Sequence, residues 1–221
     1  MKYFYLIISL LTISTSALQA QELFVEGGKS ITSFSFQDVF SDELDNLRST
    51  NHTYIDLGYR GKLFGEQVQF IGGLGLHTYG SIGSDNSQNT YFEWETTYAS
   101  IQAGIDIKVI EANRFSFHVR ATVAPEFLMS GTRVLNNEVL DIRGREDFDT
   151  PIIFLRGAAS FEYKINSTMA AFLQYRYGQG TQLEKSASGG ELTYFSQDFG
   201  LGLIFSIKNG ESQGGTSQDN Q

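Results

Sequence analysis

The chain contains no cysteine and only 2 prolines among its 221 residues. The absence of cysteine excludes a disulfide framework, a thiolate metal site, a cysteine nucleophile and a lipid anchor on an N-terminal cysteine. Lysine and arginine together number 16 against 25 acidic residues, which gives a formal net charge of −9. Because nucleic-acid binding needs clustered basic side chains, we expect no nucleic-acid partner.

Long apolar runs are also scarce. No segment after the N-terminus approaches the length of a membrane-spanning helix, so the sequence predicts none. At the N-terminus, Lys2 precedes an apolar run at 3–13, and small and polar residues follow up to Ala20. This order is typical of a secretory signal peptide, which we predict at 1–20. Cleavage after Ala17 and an uncleaved anchor are the alternatives.

The abundant residue types favour strands, since the chain has 23 Gly, 18 Phe and 11 Tyr. The clearest pattern lies between positions 98 and 109. Every second residue from Ala99 to Val109 is apolar, whereas the residues between them are mostly polar or small. A strand sorts such an alternation onto two faces, and a helix would scatter it.

Eight segments of this kind follow one another. They lie at about 23–36, 52–63, 67–80, 92–110, 115–130, 151–165, 169–181 and 192–208. Tight turns near 64–66, 111–114 and 165–168 alternate with long polar connections at about 37–51, 82–91, 131–150 and 182–191. Short periplasmic turns and long outer loops are typical of bacterial outer-membrane barrels.

The pattern therefore predicts an all-β fold, an eight-stranded antiparallel up-and-down transmembrane β-barrel over residues 21–208. Both termini are expected in the periplasm, because the number of strands is even. Residues 209–221 are polar and rich in Gly, Ser and Gln, and we predict a disordered tail there.

The polar phase of the strands separates a membrane barrel from a soluble one. A secreted lipocalin-like barrel would turn its apolar phase inward around a small hydrophobic ligand, and this stays an alternative. Here the polar phase mixes small residues with sparse charges of both signs, which suits a narrow interior with paired ions. We predict a structural polar network in the lumen made of Glu26, Asp56, Arg60, Asp106, Lys108, His118, Arg120, Glu126, Arg156, Glu162, Lys164, Arg176 and Asp198.

Two residues fit this assignment poorly. Lys29 falls in the apolar phase of the first strand, and we expect a bulge at Gly27 and Gly28 to turn it inward. Pro125 lies late in the fifth strand and has no amide hydrogen for the ladder. It is expected near the outer rim or at a bulge.

The signal peptide, the eight alternating strands and the closing strand at 195–207 together resemble the outer membrane protein β-barrel domain family, with its OmpA-like, OmpX-like and PorT-like small barrels. The resemblance covers about residues 21–208 and consists of pattern rather than motif, so it implies a fold more than a function. It implies a cell outer membrane location, contact with lipid, and loops displayed outside. We expect a monomer.

Some barrels of this kind are lipid-A hydrolases or acyltransferases that use a serine or histidine with an acid. Such catalysis needs a base within hydrogen-bond reach of the nucleophile and a third group that orients the base. His77 with Ser81 near the outer rim is the pair that keeps a lipid-A acyl hydrolase as an alternative. His52 borders a long loop, and His118 lies near the turn side. We expect no enzyme.

We also expect neither a metal site in the loops nor diffusion of solutes through the barrel. Two acidic loop clusters lack the spacing of an EF-hand and contain arginines that can pair with the acids. These residues are Asp38, Asp42, Glu43, Asp45 and Arg48 in the first loop, and Arg143, Arg145, Glu146, Asp147 and Asp149 in the third. Eight strands enclose an interior that side chains fill, which leaves no pore.

These exclusions leave a non-catalytic barrel with a plugged polar lumen and no cofactor. We predict an envelope-structural or loop-mediated binding protein, with a protein partner at the extracellular loops. The connection at 131–150 is more apolar than a solvated loop requires and is expected to contact that partner or to extend the strands. Its apolar residues are Val134, Leu135, Val139, Leu140, Ile142 and Phe148.

Overall fold

The structure is a computed structural model that describes residues 21–37, 47–85, 90–135, 138–143, 150–183 and 191–207. The predicted signal peptide at 1–20 and tail at 209–221 lie outside the described residues. So do the loop residues Asp38, Asp42, Glu43, Asp45, Arg145, Glu146, Asp147, Phe148 and Asp149.

The described residues form one antiparallel sheet of nine strands. The strands are β1 Gln21–Gln37, β2 Arg48–Phe64, β3 Val68–Asp85, β4 Thr90–Ala112, β5 Phe115–Leu135, β6 Glu138–Asp141, β7 Ile152–Lys164, β8 Met169–Gln182 and β9 Glu191–Ile207. Eight of them close into a ring in the order β1-β2-β3-β4-β5-β7-β8-β9, because β9 pairs with β1 along its whole length. The prediction of an antiparallel up-and-down barrel is confirmed. The described part contains no helix long and apolar enough to cross a membrane.

Two of the short turns use residues that tolerate a left-handed backbone. Gly65 has φ 61° between β2 and β3, and Asn113 has φ 57° between β4 and β5. Glycine lacks the Cβ that makes this region costly, and the asparagine side chain can stabilise it locally. Both turns lie where the sequence predicts them.

The strands extend beyond their predicted bounds toward the long connections, which agrees with the expectation that the connection at 131–150 extends the strands. β4 already begins at Thr90, and β5 runs on to Leu135 beside it. The predicted loop at 131–150 contains β6, which pairs with β5. The outward residues of these extensions include Glu93, Glu95 and Thr132, so the apolar alternation stops while the hydrogen-bonded ladder continues.

The apolar phase faces outward. Leu57, Leu74 and Leu201 are 57%, 62% and 68% exposed, whereas their polar neighbours along the strands point into the barrel. Toward the loop side the outward residues become polar, at Thr53, Thr78, Thr97, Ser130 and Gln197. A lipocalin-like barrel has the opposite arrangement, with its apolar phase inside.

The predicted bulge at Gly27 and Gly28 is wrong. β1 keeps an unbroken register against β2 and β9 through this segment, so Lys29 stays on the outward face and is exposed. Lys29 pairs with Thr53, which lies at the level where the outward face turns polar. A lysine at this level extends its ammonium group into a polar environment while its methylenes cover apolar surface.

Pro125 interrupts the ladder without a bulge of its own. It pairs with Ile153 of β7, but on the β4 side the pairing stops at Glu126 and resumes at Val123 in the same register. The missing amide hydrogen accounts for this gap. The register shift of β5 lies further along the strand, at Met129.

The seam between β1 and β9 provides a test of ring closure. A Cβ at Gly28 would overlap the carbonyl oxygen of Phe199 and lie 2.8 Å from Cα of Gly200. We therefore expect Gly28→Val to abolish the compact band that a closed barrel gives on an unboiled gel. Gly157→Val is the matched control, because a Cβ there meets nothing within 4 Å. Equal amounts of compact band in the two variants would contradict close packing at the seam.

Candidate functional site

The inward phase of the strands places a set of charged side chains in the lumen. Eleven of the residues predicted for the polar network are buried, each at most 6% exposed. They are Glu26, Asp56, Arg60, Asp106, His118, Arg120, Glu126, Arg156, Glu162, Arg176 and Asp198. These residues form three connected groups between the turn side and the loop side.

The other two predicted residues lie at the turn-side rim. The side chains of Lys108 and Lys164 are 19% and 52% exposed, and both ammonium groups bind the carboxylate of Glu111. The alternation assigns them to the inner phase, but the last residues of a strand project past the packed interior. Together with Glu111 they form a group of three ions at the rim.

On the turn side, Arg60 reaches across the lumen. Its Nη2 donates to Oε2 of Glu162 at 3.0 Å, and its Nε donates to Oε2 of Glu22 at 2.7 Å. β2 and β7 are four strands apart in a ring of eight, so the bond between Arg60 and Glu162 crosses the full diameter. Beside it, Asp106 accepts a hydrogen bond of 2.8 Å from Nε of Arg120.

In the middle of the barrel, Arg176 joins two carboxylates. Its Nε donates to Asp198 and its Nη1 to Asp56, each at 2.8 Å. The same Asp56 lies 2.9 Å from Nε2 of His77, so its two oxygens have different partners. Glu26 accepts a bond of 2.9 Å from the amide of Gln174. Hydrogen-bonded counter-charges of this kind offset the cost of burying ions.

On the loop side, aromatic residues fill the lumen, which the sequence analysis missed. Phe34, Tyr79, Tyr98, Phe154 and Tyr194 belong to one buried cluster. The hydroxyls of Tyr98 and Tyr194 are 3.0 Å apart, and β4 and β9 are again four strands apart in the ring. The position of Tyr98 in the polar phase of its strand was the available signal. The lumen is therefore not wholly polar.

Tyrosine hydroxyls connect this aromatic cluster to the charges. Tyr79 donates to Oε2 of Glu126 at 2.8 Å and accepts from Nη2 of Arg156 at 2.6 Å. The guanidinium carbon of Arg156 lies 4.3 Å from the centroid of the Phe154 ring. A second apolar cluster lies on the turn side, with Phe24, Ile71, Phe172 and Ile204.

The structure does not bring His77 and Ser81 together as a base and a nucleophile. His77 binds Asp56, whereas the hydroxyl of Ser81 donates to the backbone oxygen of Arg48 at 3.0 Å. His52 lies 2.7 Å from the hydroxyl of Thr50 through its Nε2. His77 and Ser81 therefore lack the geometry that the hydrolase alternative requires.

His118 comes closer to a catalytic arrangement. Its Nδ1 lies 2.6 Å from Asp106 and its Nε2 lies 3.2 Å from the hydroxyl of Ser116. The same Nε2 is 3.4 Å from Glu162, so the imidazole is held between two carboxylates. Ser116 is paired with β4 on one side and β7 on the other. Backbone N–H groups near it therefore bond to neighbouring strands, whereas acyl transfer needs such groups to stabilise an oxyanion. The arrangement suits an ion network better than acyl transfer.

Metal ligands do not cluster in the described ranges, where no group of three or more histidine, cysteine, aspartate or glutamate side chains is placed to hold an ion.

No protein-family model matches the chain, and no curated protein matches its sequence. Among solved structures, it is similar to the outer membrane protein OprG from Pseudomonas aeruginosa, with 12% identity over 86% of this chain and 98% of that one and a TM-score of 0.50. Neisserial surface protein A gives 11% identity, coverage of 84% and 97%, and a TM-score of 0.48. The outer membrane protease OmpT from Escherichia coli is 7% identical over 87% of this chain and 98% of that one, with a TM-score of 0.47. The fold is that of an outer-membrane β-barrel.

The central ion group, which consists of Arg176, Asp56 and Asp198, predicts a large difference in stability between two variants. Arg176→Met removes the guanidinium that Asp56 and Asp198 share, so we expect a loss of about 3–5 kcal/mol in the free energy of unfolding. Lys164→Met is the matched control at the exposed rim, with an expected loss below about 1 kcal/mol. Urea unfolding in lipid vesicles, followed by the fluorescence of the single tryptophan, measures both. Equal losses would contradict a structural role for the central group.

The contacts of Glu111 at the turn-side rim predict a dependence of stability on pH. Hydrogen bonds from Lys108 and Lys164 lower the pKa of Glu111 from 4.5 to about 2. The stabilisation by this contact is therefore present above the ordinary pKa and is lost as the pH falls through about 2. Carboxyl NMR titration should show this value in the native chain and a higher one after Lys108→Gln. Lys62→Gln, at the neighbouring turn, should leave it unchanged, and an equal shift there would contradict the assignment.

Proposed function

We propose that this chain is a monomeric barrel of the cell outer membrane whose own side chains close its lumen, and that it acts as an envelope-structural or loop-mediated binding protein. The observation that carries the proposal is the pair of contacts across the full diameter. Arg60 binds Glu162 on the turn side, and Tyr98 meets Tyr194 on the loop side.

A solute that passed through this lumen would have to break both closures. Separating a buried ion pair costs about 3–5 kcal/mol, because each ion is left without its partner. The interior of an eight-stranded barrel is already only wide enough for side chains. The arrangement favours a plug over a diffusion channel.

The surface of the barrel supports a location in lipid. Its outward face is apolar on the turn side, and aromatic pairs lie close to the turns. The ring centroids of Phe115 and Tyr163 are 5.0 Å apart, and those of Phe117 and Phe161 are 4.9 Å apart. Aromatic side chains of this kind are enriched at the membrane–water interface. With turns in the periplasm, as in bacterial barrels, the long connections face outside.

The loop-side wall supports a binding role. β4 and β5 stay paired past the level of Thr97 and Ser130, and β6 adds a third strand beside them. These strands extend past the polar edge of the lipid-facing surface. Among outer-membrane barrels, we place the chain with the small OmpA-like, OmpX-like and PorT-like barrels and expect a protein partner at its loops. The histidine contacts described above favour a non-catalytic role.

The proposal predicts a membrane barrel that does not conduct. The mature chain, purified in detergent, should run faster unboiled than boiled, and it should give no stepwise conductance in a planar lipid bilayer. A porin reconstituted in the same lipids is the positive control. Conductance steps from the native chain would contradict the closed lumen. A chain that stays soluble without detergent and shows no mobility shift would contradict the membrane barrel itself.

A further inference from the structure

A groove of about 340 Å³ lies on the outer surface of the barrel, against β4, β5 and β6. It sits directly on the loop side of the level where the outward face turns polar. The groove is lined by Glu95, Thr97, Ser130, Gly131, Thr132, Val139, Asp141 and Arg143.

The register of the strands places three of these residues in one row. Glu95 of β4 pairs with Thr132 of β5, and Thr132 pairs with Asp141 of β6. Adjacent strands lie about 4.8 Å apart, so the backbones of Glu95 and Asp141 are separated by about 10 Å. The carboxylates of Glu95 and Asp141 thus lie on either side of the Thr132 hydroxyl, with room between them for a small polar ring. Thr97 and Ser130 form a second row of hydroxyls on the membrane side.

The side chains around the row are partly fixed and partly free. Oδ1 of Asp141 accepts the backbone N–H of Arg143 at 2.9 Å, which orients the carboxylate. The side chain of Glu95 is 60% exposed, with Nδ1 of His52 at 3.7 Å from its carboxylate. Val139 is 66% exposed and gives the groove an apolar side. These groups combine acceptors, hydroxyls, one guanidinium and one apolar contact.

This combination fits a sugar. The neighbouring hydroxyls of a pyranose donate to carboxylates, and its C–H face packs against an aliphatic side chain. Two carboxylates and one guanidinium leave the groove with a formal charge of −1, which favours a cationic amino sugar over a neutral one.

We propose that this groove binds a pyranose, with an amino sugar bound more tightly than its neutral analogue. The inference rests on the proposed function, because only a barrel with its long connections outside presents the groove to saccharides of the cell surface. The sugar is presented either as a soluble saccharide or as the headgroup of a glycolipid. The site also accounts for β6, which supplies Val139 and Asp141.

The test uses the mature chain in nanodiscs of phosphatidylcholine with methyl-labelled valine and threonine. Titration with glucosamine, and separately with glucose, should shift the methyl signals of Val139 and Thr132, and glucosamine should act at lower concentration. Glu95→Gln and Asp141→Asn should each weaken the binding about tenfold, because each removes a charged hydrogen-bond acceptor. Glu93→Gln is the matched control, since Glu93 lies outside the groove and within 3.3 Å of the Tyr91 hydroxyl.

Unchanged signals with both sugars, or equal affinities in all variants, would overturn the proposal. The same shifts with Ca²⁺ alone, abolished by a chelator, would overturn it in favour of a cation site. Nanodiscs that contain galactosyl diacylglycerol distinguish the two sources. Competition between this lipid and the free sugar supports a headgroup ligand, and its absence supports a soluble saccharide. The closed barrel is tested separately by gel mobility and conductance, so an absence of sugar binding would not contradict it.

Discussion

The ion pairs of Arg176 with Asp56 and Asp198 are the contacts on which the interior depends. These three side chains come from β8, β2 and β9, so one guanidinium ties the neighbouring strands β8 and β9 to β2, which is far away in the sequence. Without Arg176, the buried Asp198 would lose its guanidinium partner, and Asp56 would keep only the contact with His77. The ring of strands closes around this arrangement, and the small residues of the inward phase leave room for it. The barrel is thus held from inside by charge pairing as well as by the backbone ladder.

The aromatic cluster on the loop side follows from the same constraint. Arg156 needs a partner for its charge, and Glu126 supplies it. The hydroxyl of Tyr79 bridges the two, while its ring packs 5.0 Å from the ring of Phe154. Tyrosine is suited to this boundary, because it offers a polar end to the ions and an apolar ring to its neighbours. Tyr98 and Tyr194 then complete the closure with a hydroxyl contact of their own.

The period-two pattern predicted the ring of strands and the inner face, because alternation is a property of the strand itself. It failed where another interaction decided the outcome. Lys29 stays outward because an ammonium group at the polar edge is tolerated, so no bulge is needed. Lys164 belongs to the inner phase but lies where the strand leaves the packed interior. The aromatic cluster depends on contacts between distant segments, which no local pattern encodes. β6, by contrast, pairs with its sequence neighbour β5, as the expected extension of the strands at 131–150 allows. The residues of the cluster, among them Tyr98 and Tyr194, were visible in the sequence without their partners.

The interior also limits where this barrel can recognise anything. Its charged groups are buried and mostly occupied by one another, so a ligand in the lumen would have to displace contacts such as the one between Arg60 and Glu162. The lipid-facing surface offers mainly apolar side chains. Carboxylates and hydroxyls with room for a ligand remain on the raised wall of β4, β5 and β6, where Glu95 and Asp141 face outward. Extra strand length on the loop side adds nothing to the crossing of the membrane. It carries polar side chains at a fixed spacing past the edge of the lipid. Recognition of a ligand is therefore best explained on this wall.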